Sequence, residues 1–456
     1  MNDNKTLINN LTEGPITRQL LLYSLPIVLG NLLHTLYNLV DTAVVGQFVG
    51  SVGLSAVSTA GQITFILYAL GIGFGCGGQI LVAQQVGTDN RPGITKTIGT
   101  SFLFNIILGV AVMLVGLALT KPALRLLNTP DEAMTDAVEY LLWCCVGIPF
   151  TYVNGGMSAV LRGMGDSKHP TMFTAVAAVA NVGLDFLLVA VFGLRAKGAA
   201  IATSAAQALG AVYCGYYLFR HHEQIGFDFT RENFRLDRTT LLNIVKLGTP
   251  LAFQSIAITI SMTFITAWVN VYGTVASAVN GVGSKLYSLT TVVTNSMETA
   301  VATFTGQNFA ARRKDRLNRC MGVSMMICMA FWLVLTALCV VCPRLFFLPF
   351  TSESAVLDMA PVYMHIQIVM YLSFATMSTP IGFINGVGNV RLNFIIAIID
   401  GVVARIGLSL LLADLMGIGL TGYWWASALA GFVSTIWGWI YYLSGRWEHR
   451  RLIEEA

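Results

Sequence analysis

Residues 97–120 read TIGTSFLFNIILGVAVMLVGLALT, an apolar run without a single charged side chain. A run of this length crosses a hydrocarbon core about 30 Å thick. Lipid offers no partners to backbone N–H and C=O groups, so the segment must close its hydrogen bonds internally and be a helix. Outward from it, similar runs between charged or Gly/Pro breaks give twelve spans. Six lie near 17–45, 53–83, 97–120, 136–161, 169–192 and 198–219. Six more lie near 244–271, 275–305, 318–342, 359–384, 390–413 and 419–443. The pattern predicts an all-α polytopic membrane protein.

Composition excludes the soluble classes. Only 11% of the 456 residues are charged, 55% are hydrophobic, and mean hydropathy is +0.68. A soluble domain carries roughly 25% charged residues, so this chain lacks the material for a water-facing surface. A net charge of +4 is too small and scattered to suggest nucleic acid as a partner. The amino terminus, MNDNKTLINNLTEGPITR, lacks the short apolar core and small-residue cleavage site of a signal peptide, so the first helix is expected to stay. Cys339 and Cys342 form a CxxC inside the apolar run TALCVVCPRLFF with no second pair nearby, which reads as buried thiols rather than a metal or redox site.

Twenty of the 27 basic residues, from Lys5 and Arg18 to the tail's Arg446, Arg450 and Arg451, fall on one side of the spans. Five fall on the other: Lys121, Arg125, Arg195, Lys197 and Arg344. Basic residues are retained in the cytoplasm. Both termini are therefore expected there, with the protein in the cell inner membrane. Lys285 and Arg405 lie well inside spans.

The two halves repeat at an offset of about 224. Arg162-Gly163-Met164-Gly165-Asp166 falls on Asn385-Gly386-Val387-Gly388-Asn389, and Val179-Ala180-Asn181-Val182-Gly183-Leu184 on Val403-Ala404-Arg405-Ile406-Gly407-Leu408. Tyr216-Tyr217-Leu218 meets Tyr441-Tyr442-Leu443, and Pro26 meets Pro250. The expected plan is an amino-terminal six-helix lobe (1–219), a cytoplasmic linker (220–243), a second six-helix lobe (244–443) and a cytoplasmic tail (444–456). Two pseudo-symmetric bundles with a central cavity are transporter architecture.

Ionisable groups inside a membrane are costly, so each needs a reason. Asp41 in the first span and Asp185 in the fifth both lie about seven residues from the outer ends of their spans, roughly 10 Å deep. Thr203, about six residues into the sixth span, shares that depth, and Asn181 sits one turn deeper on the face of Asp185. Two carboxylates, an amide and a hydroxyl suit a hard cation such as Na⁺, by analogy with other oxygen-rich sites, or a proton. No other metal and no resident cofactor is expected. In the second half these positions hold Ile265, Ser409, Arg405 and Ser427, which confines the cation site to the first half. Arg405 can pair with Asp400. Tyr37, Asn154 and Glu298 are candidate substrate-cavity residues. His34 and His365 belong to no metal-ligand set.

Gly73-Phe74-Gly75-Cys76-Gly77-Gly78 satisfies GxGxxG, but without a preceding strand it reads as close helix packing through small residues rather than a dinucleotide loop. No phosphate loop, Ser-His-Asp set or metal-hydrolase pattern appears, so the chain is not expected to be an enzyme.

Asn38-Leu39-Val40-Asp41-Thr42-Ala43-Val44-Val45-Gly46, Arg162-Gly163-Met164-Gly165-Asp166-Ser167-Lys168, Gly198-Ala199-Ala200-Ile201-Ala202-Thr203 and Gly306-Gln307-Asn308 resemble the multidrug and toxic compound extrusion (MATE) family across nearly the whole chain. Phe309-Ala310 and Asn389 depart from the family pattern, away from the proposed site. The resemblance implies an antiporter expelling small organic, often cationic and amphipathic, xenobiotics in exchange for H⁺ or Na⁺ by alternating access. Asp41, Asn181, Asp185 and Thr203 fall on positions resembling the cation site of the DinF-like branch. A monomer in the bilayer is expected. The alternative is a lipid-linked precursor flippase of the same superfamily, which the scarcity of basic residues inside the spans disfavours.

Overall fold

The computed structural model describes residues 8–455; Lys5 lies outside them. Twelve long helices follow one another: α1 (Ile16–Phe48), α2 (Gly50–Gly87), α3 (Arg91–Leu126), α4 (Asp131–Gly163), α5 (Lys168–Val191) and α6 (Arg195–Arg220). Then come α7 (Arg238–Asn270), α8 (Thr274–Ala310), α9 (Lys314–Val341), α10 (Ser354–Gly386) and α11 (Val390–Leu415). The last, α12, runs over Leu420–Ala430 and continues past Gly431 as Phe432–Leu443. No strand occurs among the described residues.

By length and composition, nine of these helices can cross a membrane; α6, α8 and α12 fall short among the described residues. The reasons are local. Alanine, only weakly apolar, fills much of α6, while α8 carries Lys285, Glu298 and many hydroxyls, and α12 is interrupted at Gly431. Outward faces stay apolar, as at Leu114, Val212, Leu333 and Val403, each more than half exposed and suited to acyl chains.

The described chain forms two compact units. The first takes the residues up to Asn10 with Leu25–Ala252, and the second takes Leu11–Ser24 with Phe253–Ala456. The start of α1 belongs to the second unit because Leu11, Ile16 and Leu20 pack into its core with Met297, Val301, Phe304 and Phe383. Gln307 and Asn308 fix that segment, receiving the Leu11 N–H at 2.8 Å and donating to its carbonyl at 3.1 Å. The start of α7 belongs reciprocally to the first unit, where it meets the α2 glycines.

Those glycines show why small residues are required. A Cβ on Gly77 would stand 2.8 Å from the Ile244 carbonyl, and one on Gly73 would stand 2.5 Å from the Ala252 nitrogen. The neighbours are backbone and cannot swing aside. Gly77→Val is expected to force α2 from α7, cost about 1–3 kcal/mol and lower the unfolding temperature in detergent. Gly215→Ala, whose Cβ meets nothing within 4 Å, should leave it unchanged or slightly raised.

Residues 220–243 pack against α3. Thr95 donates to the Gly226 carbonyl (3.1 Å), the Asp237 N–H donates to Thr100 (3.2 Å), and Phe102, Phe227, Phe229 and Phe234 make edge contacts. Asp237 then caps α7: the Thr240 N–H and hydroxyl (2.9 and 2.7 Å) hold its carboxyl below the usual carboxylate range.

Helix geometry carries the repeat as well. Immediately after Asp185, α5 widens into π turns over Phe186–Val191, and α11 widens over Leu410–Leu415 immediately after Ser409, the residue matched to Asp185. Such widened turns are frequent at functional sites.

Candidate cation and substrate site

Within the first unit, α1, α5 and α6 bring the predicted residues together. Asp185 is fully buried, Asn181 is 1% exposed and Asp41 is 6% exposed. The Asn181 amide donates to the Thr203 hydroxyl at 3.3 Å, bridging α5 and α6. Asp41 and Asp185 are near enough for their charges to interact. Asp41 Oδ1, Asn181 Oδ1 and both Asp185 carboxylate oxygens are buried without a hydrogen-bond donor.

Each such orphan costs roughly 1–3 kcal/mol, more when charged. Four of them on neighbouring side chains form an acceptor-only set, which suits a bound cation or a shared proton and no anion. Among the described residues no three His, Cys, Asp or Glu side chains converge into a metal-binding group.

Beside this set lies a cavity of about 400 Å³ whose wall includes Asp41 and Thr203. Asn181 and Asp185 do not contribute to that wall. Tyr37 and Asn154 do, and a polar chain joins them: Asn154 donates to Gln207 (3.3 Å), and Gln207 donates to the Tyr37 hydroxyl (3.5 Å). Asn154 therefore bridges α4 to α6 and faces the cavity too. His34, edge-on to Tyr37 at 4.9 Å, lines the same space, whereas His365 is exposed on α10.

The sequence reading missed most of the remaining wall, including Tyr68, Tyr140, Arg162 and Gln207. Gln207 was recoverable, standing one turn after Thr203 on the same face of α6. Arg162, which donates to Gln79 at 3.4 Å, appeared only as part of a repeat motif. Nothing in the sequence marks the tyrosines.

Glu298 is not among the residues lining this cavity. It lies in the second unit and accepts from Asn385 at 3.3 Å, while Asn385 accepts from Asn393 at 2.8 Å. Positions matching the cation set hold no acid there: Ile265 and Ser409 are buried, and Arg405 pairs with Asp400 at 3.3 Å.

The MatE family model matches residues 26–187 and again 250–411, so both halves of the chain satisfy it at the spacing of the internal repeat. The chain belongs to the MATE family. As a MATE protein it is a polytopic membrane transporter, not an enzyme, and members of the family need no cofactor. It is 27% identical over 97% of its length to 97% of the "Probable multidrug resistance protein YoeA" of Bacillus subtilis. It is 30% identical over 68% of its length to 68% of the "Probable multidrug resistance protein YpnP" of the same organism. Its fold matches a solved outward-facing multidrug resistance MATE family transporter with a TM-score of 0.89 at 23% identity, covering 94% of this chain and 96% of that one.

Proposed function

We infer that this MATE protein is a secondary antiporter of the DinF-like branch, set in the cell inner membrane with both termini cytoplasmic. It exports organic, often cationic and amphipathic, compounds in exchange for H⁺ or Na⁺. The observation that carries this reading is the cluster of unpartnered buried oxygens on Asp41, Asn181 and Asp185 beside the Thr203 hydroxyl. The incoming ion neutralises the two carboxylates, and α1, which contains Pro26, bends in response. A proline removes one helix hydrogen bond, so the bend is cheapest there. The Pro26 carbonyl already accepts from Thr171 on α5 at 2.6 Å, linking the bend point to the helix that carries Asp185. Substrate occupies the cavity along Tyr37 and Asn154 and competes with the ion for one conformation of the lobe, which yields exchange.

Purified protein in liposomes should extrude a fluorescent organic cation when an inward H⁺ or Na⁺ gradient is imposed, and not without one. Transport indifferent to both gradients defeats the reading. Thr203→Val keeps the shape and removes an oxygen. The ion concentration giving half-maximal efflux should then rise about 10-fold, the worth of one hydrogen-bonding group.

A further inference from the structure

At the foot of α12, where it meets the start of α11, the second unit carries an open groove of about 550 Å³. One end is basic, with Arg446, His449 and Arg450; the other is apolar, with Leu392, Trp437 and Ile440. Its basic residues lie just past Leu443, the last residue of α12. The arginines therefore lie at headgroup level, with the apolar residues one to two turns deeper. We propose that this groove binds an anionic phospholipid, its phosphate held by Arg446 and Arg450 and its upper acyl chain laid along Trp437 and Ile440.

Charge availability is the first reason. Among the described residues neither Arg446 nor Arg450 has a carboxylate within ion-pair distance; the neighbouring acid, Glu448, is engaged by Lys314 instead. Arg450 is nonetheless positioned, because it donates to the Gly388 carbonyl at 3.0 Å. A guanidinium held by one backbone oxygen keeps its remaining donors for a phosphate.

The second reason separates a lipid from a free anion. The groove runs into an exposed apolar face on α12, where Ile436 is 56%, Trp437 49%, Ile440 52% and Leu443 75% exposed. A soluble phosphate gains nothing from that surface, whereas an acyl chain covers it. Tryptophan is also favoured at the membrane–water boundary. Finally, Arg446 and Arg450 belong to the side of the spans to which the sequence assigns 20 of the 27 basic residues, and clustered Arg and Lys beside a span draw anionic lipid.

Native mass spectrometry of the full-length protein in neutral detergent, titrated with phosphatidylglycerol, phosphatidylcholine or glycerol phosphate, tests the proposal. Phosphatidylglycerol should bind at least about 10-fold more tightly than phosphatidylcholine. Arg446→Gln with Arg450→Gln should weaken phosphatidylglycerol roughly 30-fold and leave phosphatidylcholine unchanged. Arg312→Gln with Arg313→Gln, a basic pair outside the groove, should change neither. Arg446→Gln alone replaces an exposed side chain that makes no hydrogen bond among the described residues, and should cost about 5-fold even if the double variant does not fold. Wild-type phosphatidylglycerol affinity in Arg446→Gln or in the double variant overturns the proposal. So does glycerol phosphate binding as tightly as phosphatidylglycerol, which would mark a soluble-anion site.

Discussion

Asp41→Asn should abolish gradient-driven efflux in proteoliposomes while the protein still folds. The substitution keeps the side-chain shape and removes its charge. In the native site Asp41 Oδ1 is buried without a donor and the Asp185 charge lies near it. Losing that repulsion makes folding no harder, so melting in detergent should hold or improve slightly. The ion loses half of the negative charge that binds it, and substrate movement is thereby uncoupled from the gradient that drives it. Efflux should fall to the level without a gradient, at least about 100-fold, because a buried charge–charge interaction is worth several kcal/mol. Asp185→Asn should do the same, since its two oxygens are as unpartnered as that of Asp41. Substrate binding measured without a gradient should survive in both, because the Tyr37–Gln207–Asn154 chain is untouched. Wild-type efflux in either variant would remove the acids from the coupling mechanism.

The sequence made this candidate site readable because lipid punishes isolated charge. Asp41 and Asp185 stand out in apolar runs, and helix rise alone put them and Thr203 at one depth. The repeat added an internal control, since matched positions in the second half hold Ile265 and Ser409. What escaped has equally physical causes. Tyr68 and Tyr140 carry no unusual cost in a membrane helix, so nothing marks them as cavity residues. The π turns after Asp185 and Ser409 have no composition of their own; FLLVAV is as apolar as any helical stretch. The sharing of α1 and α7 by both units was likewise hidden. In water, the apolar stripe of a helix tells which side is buried. A lipid-embedded helix is apolar all round, so periodicity does not say where Leu11, Ile16 and Leu20 will pack. Only the glycines at 73 and 77 hinted that another backbone comes close.

Asp400→Ala should destabilise the second lobe severely, a cost that adjacent hydrophobic substitutions would not carry. Asp400 and Arg405 are 8% and 5% exposed in their side chains and 3.3 Å apart. Ser434 donates to the other Asp400 oxygen at 2.6 Å, and Arg405 also contacts the sulfur of Met262 at 3.1 Å. The Arg405 Nε is already without a partner. Removing the carboxylate strands a guanidinium in an apolar interior, which costs about 3–5 kcal/mol. The unfolding temperature in detergent should drop by roughly 5–15 °C. The double variant Asp400→Leu with Arg405→Met removes both charges and should recover most of that loss, since a buried pair and a well-packed apolar pair are often of similar stability. A wild-type melting temperature for Asp400→Ala would mean that the pair has no structural role. Efflux by the stable double variant then separates the two lobes. Arg405 occupies the repeat position of Asn181, so the second lobe holds a tethered cation where the first holds an amide proposed to bind the ion. If ion coupling belongs to the first lobe alone, the double variant should keep its dependence on the imposed gradient, with Asp41 still required.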